Sequence, residues 1–273
     1  MAAASSGADV IIQELEDFTP PSERPRARAM CASIMEHWRA HGRVAAVRVN
    51  PLEEDGMADL EAVVPAKPHV IALPKVRRPE QLILLDREVS RLEEAHNIPV
   101  GTTELLPNIE YAEGVLRAMA IAQASARVKA CLLAAEDLIA DLGAVRSLEN
   151  LELQYCRQRF IVECRAADVV AVDCPFTWQE GGDRLRAETD FARRLGYTAK
   201  GCVHPAHVPV VNDVLTPTAD DVLHARQLID AFEQARAEGR DRALVDGTLV
   251  EVPAYNSARR LIRRASELAT QDR

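Results

Sequence analysis

The chain has 273 residues, 48% hydrophobic and 27% charged, enough for one large α/β domain with a real core. A formal net charge of −9 argues against a nucleic-acid surface or an anionic membrane as the main partner, although a few local arginines could still hold a phosphate-bearing cofactor. No apolar run is long enough to span a bilayer, and Met1–Asp9 lacks the basic and apolar regions of a secretory signal, so a soluble protein is expected.

In chain order, Val10–Ile12 is a short strand running into the acidic cluster Glu14-Leu15-Glu16-Asp17. Pro20-Pro21-Ser22 breaks the chain, and Ser22 is placed to cap a helix whose Met30, Ile34 and Trp38 recur at helical spacing before Gly42 ends it. Val44–Asn50 is the next strand, closed by Arg48 and Asn50, with a brief helix over Asp59–Val64. Val70–Lys75 is a continuous apolar strand, and Leu82, Leu85, Val89 and Leu92 mark the core face of a helix over Pro79–Asn97. Strand, helix and strand follow at Pro99–Leu106, Tyr111–Ala124 and Val128–Leu133, then a long helix at Leu148–Ala167. Val169–Asp173 and Lys200–His204 read as strands flanking a helix over Asp183–Gly196. A barrel-type domain is expected over 1–216, and C-terminal helices with a lid segment over 217–273. In the latter, Thr218 and Asp221 form a capping box for a helix with core residues Val222, Ala225, Ile229 and Phe232. Gly239 closes that helix, and a turn at Asp246-Gly247 precedes a basic final helix.

Apolar strands alternating with helices indicate parallel βαβ units covered on both faces. Seven strands are countable. A (β/α)8 barrel has eight and carries its chemistry at the C-terminal strand ends, where Glu16, Asp17, Arg48, Lys75, Glu110, Asp137, Asp173 and His204 fall. A doubly wound sheet competes, but no G-x-G-x-x-G follows the first strand. Glu110 and Asp137 each close an apolar run where a helix begins, so the two could share one hard divalent cation such as Mg2+. The plainer alternative is a pair of acids favoured by helix dipoles. Six cysteines show no C-x-x-C pair, and Cys131, Cys174 and Cys202 fall in predicted strands, which suggests reduced buried thiols and a cytoplasmic setting.

With these residues in view, the chain resembles the citrate lyase beta-subunit-like family of the HpcH/HpaI aldolase superfamily. The matching segments are VIIQELED (Val10–Asp17), VRVN (Val47–Asn50), LPKV (Leu73–Val76), NIEYAEGV (Asn108–Val115), AAEDLIADLG (Ala134–Gly143), RRLGYTAKGCVHPAHVPVVN (Arg193–Asn212) and DGTLVEVP (Asp246–Pro253). The resemblance implies a TIM barrel that makes or breaks a C–C bond between an oxo or hydroxy acid and a CoA thioester, with Mg2+ on Glu110 and Asp137. It further implies that Arg48 grips the substrate carboxylate and that a C-terminal segment closes over a neighbouring site in a homo-oligomer, a trimer or hexamer. Glu251 matches the lid carboxylate that moves protons. Lys75 is a candidate for substrate or a CoA phosphate, with a salt bridge as the alternative. Glu16, Asp17 and His204 are expected to support the site from behind.

Three acids or neighbours depart from the family pattern. Glu14 replaces the first aspartate of D-L-E-D, Ala134 the glycine before A-E-D, and Glu251 the lid aspartate. The family's opening strand, R-S-x-L-F-x-P, has no counterpart before Met1-Ala2-Ala3-Ala4, so the barrel is expected to lack its first strand. Either the start lies further upstream or the strand has been lost. Two other functions stay open: a class II 2-oxo-acid aldolase working without CoA, or a catalytically silent homologue serving as a subunit or binding module.

Overall fold

The computed structural model describes residues 2–178 and 182–271, and the chain divides into two units, Met1–Val211 and Asn212–Arg273. Among the described residues no helix is long and apolar enough to cross a membrane.

The first unit is built on seven strands: β1 (Val10–Glu14), β2 (Val44–Arg48), β3 (Val70–Leu73), β4 (Glu104–Ile109), β5 (Ala130–Leu133), β6 (Val170–Phe176) and β7 (Ala199–Cys202). All pair in parallel and in sequence order, leaving β1 and β7 as the edges of one curled sheet. Parallel neighbours require crossovers, which are supplied by α1 (Arg24–Ala40), α2 (Met57–Val63), α3 (Pro79–Ala95), the short α4 (Ala112–Val115) and α5 (Ala118–Ala122), α6 (Ala135–Asp141), α7 (Gln154–Ala166) and α8 (Gly182–Leu195). The division between the units falls within α9 (Val208–Leu215).

Alternation along each strand separates two faces. Ile11, Val47, Ile71, Leu105, Ile109 and Leu133 join the main core with Met35, Leu82, Leu92 and Phe160 of the covering helices. Residues between them in sequence face the inside of the curl, where Ala46, Ala72 and Leu106 are buried outside that core cluster. Val10, Ile12, Val44 and Val170 share the inner face but remain exposed. Three of the four begin their strands, so the inner face is open toward its N-terminal end.

Most elements follow the sequence expectation, and the α3 core face is as read: Leu82, Leu85, Val89 and Leu92 are all buried. On α1 the buried residues are Cys31, Met35 and Trp38, while Met30 is exposed, so the face is rotated by one residue. Ser22 lies in a 3-10 turn and caps nothing. β4 starts at Glu104, five residues later than expected from Pro99, and runs on to Ile109. The helix expected over Tyr111–Ala124 is two short pieces broken near Leu116 and Arg117. At its start, a Cβ on Gly114 would meet the Val76 carbonyl oxygen at 2.5 Å, so only glycine allows the chain to pass so close to the loop after β3. Cys202 is exposed, because β7 is an edge strand.

Asp173 is not at a strand mouth. It lies within β6 on the outer face, fully buried, where Arg157 of α7 donates to both its carboxylate oxygens at 2.9 and 2.8 Å and Lys200 of β7 donates at 2.7 Å. Lys200 also donates to Glu188 of α8 at 2.7 Å, and the Tyr197 hydroxyl donates to the Arg157 carbonyl at 2.7 Å. Burial alone would raise the Asp173 pKa, but Lys200 and Arg157 hold it below its ordinary value.

The second unit holds the end of α9, α10 (Ala219–Ala237), the hairpin β8 (Ala243–Val245) and β9 (Thr248–Val250), and α11 (Val252–Gln271). The Thr218–Asp221 capping box forms, and Ala225 and Phe232 are buried with Ala235, while Val222 and Ile229 are half-buried. Asp246 and Gly247 both have positive φ, 52° and 75°, as a two-residue hairpin turn requires. Phe232, Ala235, Ala243 and Val250 form its small core.

Replacing Asp173 by asparagine leaves the buried Arg157 without a countercharge and Lys200 with Glu188 alone, and is expected to cost about 3–5 kcal/mol in denaturant or thermal unfolding. Because the folded-state pKa is lowered, this advantage of the parent chain is complete above 3.8 and is lost as the pH falls below that value.

Candidate active site

The polar side chains of the inner face gather at the C-terminal ends of β1 to β5. Glu14 closes β1, Arg48 closes β2, Lys75 follows β3, Glu110 follows β4, and Asp137 sits in the first turn of α6 after β5. Register sets this grouping, with Glu14 opposite Arg48 and Ile109 opposite Leu133. Parallel pairing brings strand ends to one rim, so residues far apart in sequence become neighbours.

Arg48 is held on several sides. Its Nε donates to Glu14 at 2.7 Å, its Nη2 lies 3.2 Å from Glu16, and its Nη1 faces Glu110 at 4.0 Å, beyond hydrogen-bond distance. Glu14 therefore has work to do at its longer reach: Oε2 takes the guanidinium while Oε1 accepts the Glu16 backbone N–H at 2.7 Å. Lys75 is tied to Glu16 and lies 3.1 Å from Asp17. Its backbone has φ 56°, the left-handed region that a lysine rarely adopts, at a cost of about 1–2 kcal/mol.

A second layer fixes the loops. Asp59 of α2 is fully buried and accepts from the backbone N–H and the Nδ2 of Asn50, both at 2.7 Å, and from Arg28 Nε of α1 at 2.6 Å. Asn50 Nδ2 also donates to the Leu15 carbonyl at 2.8 Å. One amide thus ties the segment after Arg48 to the segment before Glu16. Sequence reading gave Asn50 and Asp59 no role. Two short-range polar residues at a strand end and a helix start were the only available signal.

Glu110 is the exception to this pairing. It is fully buried, and neither carboxylate oxygen has a hydrogen-bond partner among the described residues. Burial drives its pKa up to about 8; Arg48 lowers it, and the charges of Asp137 and Glu16 raise it further. The Lys75 backbone gives slight relief, short of a hydrogen bond. Asp137 is half-buried, at the start of α6. Ala134, which precedes that helix, is extended at φ −109°, a conformation with room for its methyl.

Five carboxylates (Glu14, Glu16, Asp17, Glu110 and Asp137) here meet two cations, Arg48 and Lys75. With all ionised, three negative charges are left over. Two buried acceptor oxygens without donors beside a second carboxylate suit a hard divalent cation that completes its shell with water or substrate oxygens. Among the described residues a different trio, Asp173, Cys174 and Glu188, has ligand atoms within 4.8 Å of one another, but Arg157 and Lys200 already occupy its carboxylates.

Two further expected residues are on other elements. His204 is exposed after β7, its Nδ1 accepting the Ala206 N–H at 3.1 Å as the cap of a 3-10 turn. Glu251 belongs to the second unit, exposed between β9 and α11, with its carbonyl accepting the Tyr255 N–H at 3.0 Å.

Replacing Glu110 by glutamine removes a titration. In chelator-treated protein the unfolded parent loses this proton above 4.5 while the folded parent keeps it to about 8, so the parent alone loses stability across that window. The stability gap in favour of the variant is expected to widen by on the order of 2–4 kcal/mol between those limits, read from urea midpoints at several pH values. A pH-independent gap would mean that the carboxyl is solvated or paired.

Residues 1–205 match the model of the HpcH/HpaI aldolase/citrate lyase family. The chain is 32% identical over 259 residues to the citrate lyase subunit beta of Escherichia coli K12, covering 94% of this chain and 86% of that one. It is also 32% identical over 268 residues to a (3S)-malyl-CoA thioesterase of Cereibacter sphaeroides, covering 98% and 90%. Among solved structures, CitE of Mycobacterium tuberculosis in complex with magnesium, acetoacetate and coenzyme A superposes with a TM-score of 0.77 at 26% identity, over 97% of this chain and 92% of that one.

Proposed function

We propose that this chain, which belongs to the HpcH/HpaI aldolase/citrate lyase family, is a Mg2+-dependent carbon–carbon lyase that interconverts a hydroxyacyl-CoA of the malyl- or citramalyl-CoA type, its hydroxyl on the carbon β to the thioester carbonyl, with an oxo acid and an acyl-CoA. The single observation that carries the reading is Glu110: a buried carboxyl with neither oxygen hydrogen-bonded among the described residues, at a rim where five acids meet two bases. A cost of that kind is retained where a ligand relieves it.

Glu110 and Asp137 would hold the cation, which supplies Lewis-acid polarisation of the substrate oxygen that becomes a carbonyl. Arg48 enters this chemistry already oriented, because Glu14 and Glu16 fix its Nε and Nη2. Nη1 is the part left to grip a substrate carboxylate, a narrower contact than a free guanidinium's two parallel hydrogen bonds would give. Lys75, spanning Glu16 and Asp17, keeps those acids from repelling an anionic substrate. Cleavage removes the hydroxyl proton, breaks the C–C bond and returns a proton to the acyl-CoA enolate. Glu251 is our candidate for these transfers. As part of the same proposal, Glu251 reaches the site of a neighbouring subunit in a trimer or hexamer. The exposed cross-strand pair Leu244 and Leu249 on the adjacent hairpin supports such packing. Free cysteines, five of them buried, suit a reducing cytoplasm.

The test is product analysis of malyl-CoA or citramalyl-CoA incubated with the purified chain. Lyase chemistry yields an oxo acid and an acyl-CoA. EDTA is expected to abolish it, and Glu110→Ala or Asp137→Ala to lower kcat/KM by about 100-fold or more. Release of free CoA with the intact hydroxy acid would favour thioester hydrolysis instead, a reading that the similarity to the malyl-CoA thioesterase supports. No turnover of either kind would favour the silent homologue.

A further inference from the structure

We propose, on the basis of the lyase reading, that Asn108 is a specificity-determining residue that hydrogen-bonds the small-acid half of the substrate. Leu106 and Asn108 in β4, with Glu110 just beyond it, alternate onto the inner face, while Leu105 and Ile109 on either side of that pair enter the helix-covered core. Asn108 is 4% exposed, and its side-chain Oδ1 is buried with no hydrogen-bond partner among the described residues. Its neighbour in register across β5 is Leu132, and Leu106 and Ala72 share its inner face. None of these side chains can hydrogen-bond.

An amide in such a place costs about 1–3 kcal/mol for its unpaired oxygen, a cost that leucine would avoid. The position therefore serves something other than packing. It lies one strand repeat, about 7 Å between Cα atoms, from Glu110, within the reach of a three- to four-carbon acid held at the rim. A neutral amide offers both donors and an acceptor. It can bind a carboxylate, carbonyl or hydroxyl without adding to the surplus negative charge, whereas aspartate there would repel the same ligand. The CoA half of such a substrate is far too large for this buried position, so its binding is expected not to depend on Asn108.

Calorimetric titration of the parent, Asn108→Leu and Asn108→Ala tests this, with Mg2+ alone, then pyruvate, oxaloacetate or glyoxylate in the presence of Mg2+, and acetyl-CoA separately. The expected result is that Kd for the preferred oxo acid rises about 10- to 100-fold in both variants, while Kd for Mg2+ and acetyl-CoA stays within about twofold. Thermal stability of Asn108→Leu is expected to be equal to or above that of the parent. Unchanged oxo-acid affinity in both variants overturns the proposal, as does a parallel loss of all three ligands together with stability, which would mark a structural residue. If the parent itself binds neither Mg2+ nor any oxo acid, the lyase reading falls and takes this inference with it.

Discussion

Glu110 is a carboxyl group taken out of water with no hydrogen bond to either oxygen among the described residues. The rest of the rim is arranged around that deficit. Arg48 stops at 4.0 Å, because Glu14 and Glu16 hold its guanidinium back. Lys75 is turned toward Glu16 and Asp17. Had either cation closed onto Glu110, the site would be a neutral salt bridge with no use for a ligand.

A second buried acid in the same unit shows the opposite solution. Asp173 is as inaccessible as Glu110, yet Arg157 and Lys200 satisfy both of its oxygens and hold its pKa down. Burial is the same and the sign of the shift differs. Compensation within the protein fixes the outer layer of β6 and β7, and it is missing at Glu110, where we propose the metal is held. Distance from partners thus separates scaffold from site better than burial does.

Much of this was readable in the sequence. The strand-end positions of Arg48, Lys75, Glu110 and Asp137 follow from apolar runs that end in polar residues, and α3 declares its core face through Leu82, Leu85, Val89 and Leu92. The identity of the face was not readable. Strands covered on both sides are apolar throughout, so their two-residue period is hidden, and Asp173 was grouped with the rim although it points under the helices. The α1 face was misread by one step because Cys31 and Met35 carry the burial that Met30 and Ile34 were assigned. The close passage of Gly114 in α4 past the Val76 carbonyl is a contact between segments that no local pattern reveals. Asn108 was hidden in the same way: one polar residue in an apolar strand carries no signal until its face is known.

Asp59 receives hydrogen bonds from Asn50 at the rim and from Arg28 on α1, outside the sheet. Arg48, which we propose grips substrate, is therefore linked through Asn50 and Asp59 to a helix on the other side of the sheet. Amino-acid changes along α1 that shift Arg28 by a fraction of an ångström reach Arg48 through a buried carboxylate rather than through bulk deformation. Divergence among relatives can then tune turnover from the solvent side of the molecule while every group that meets the substrate stays the same.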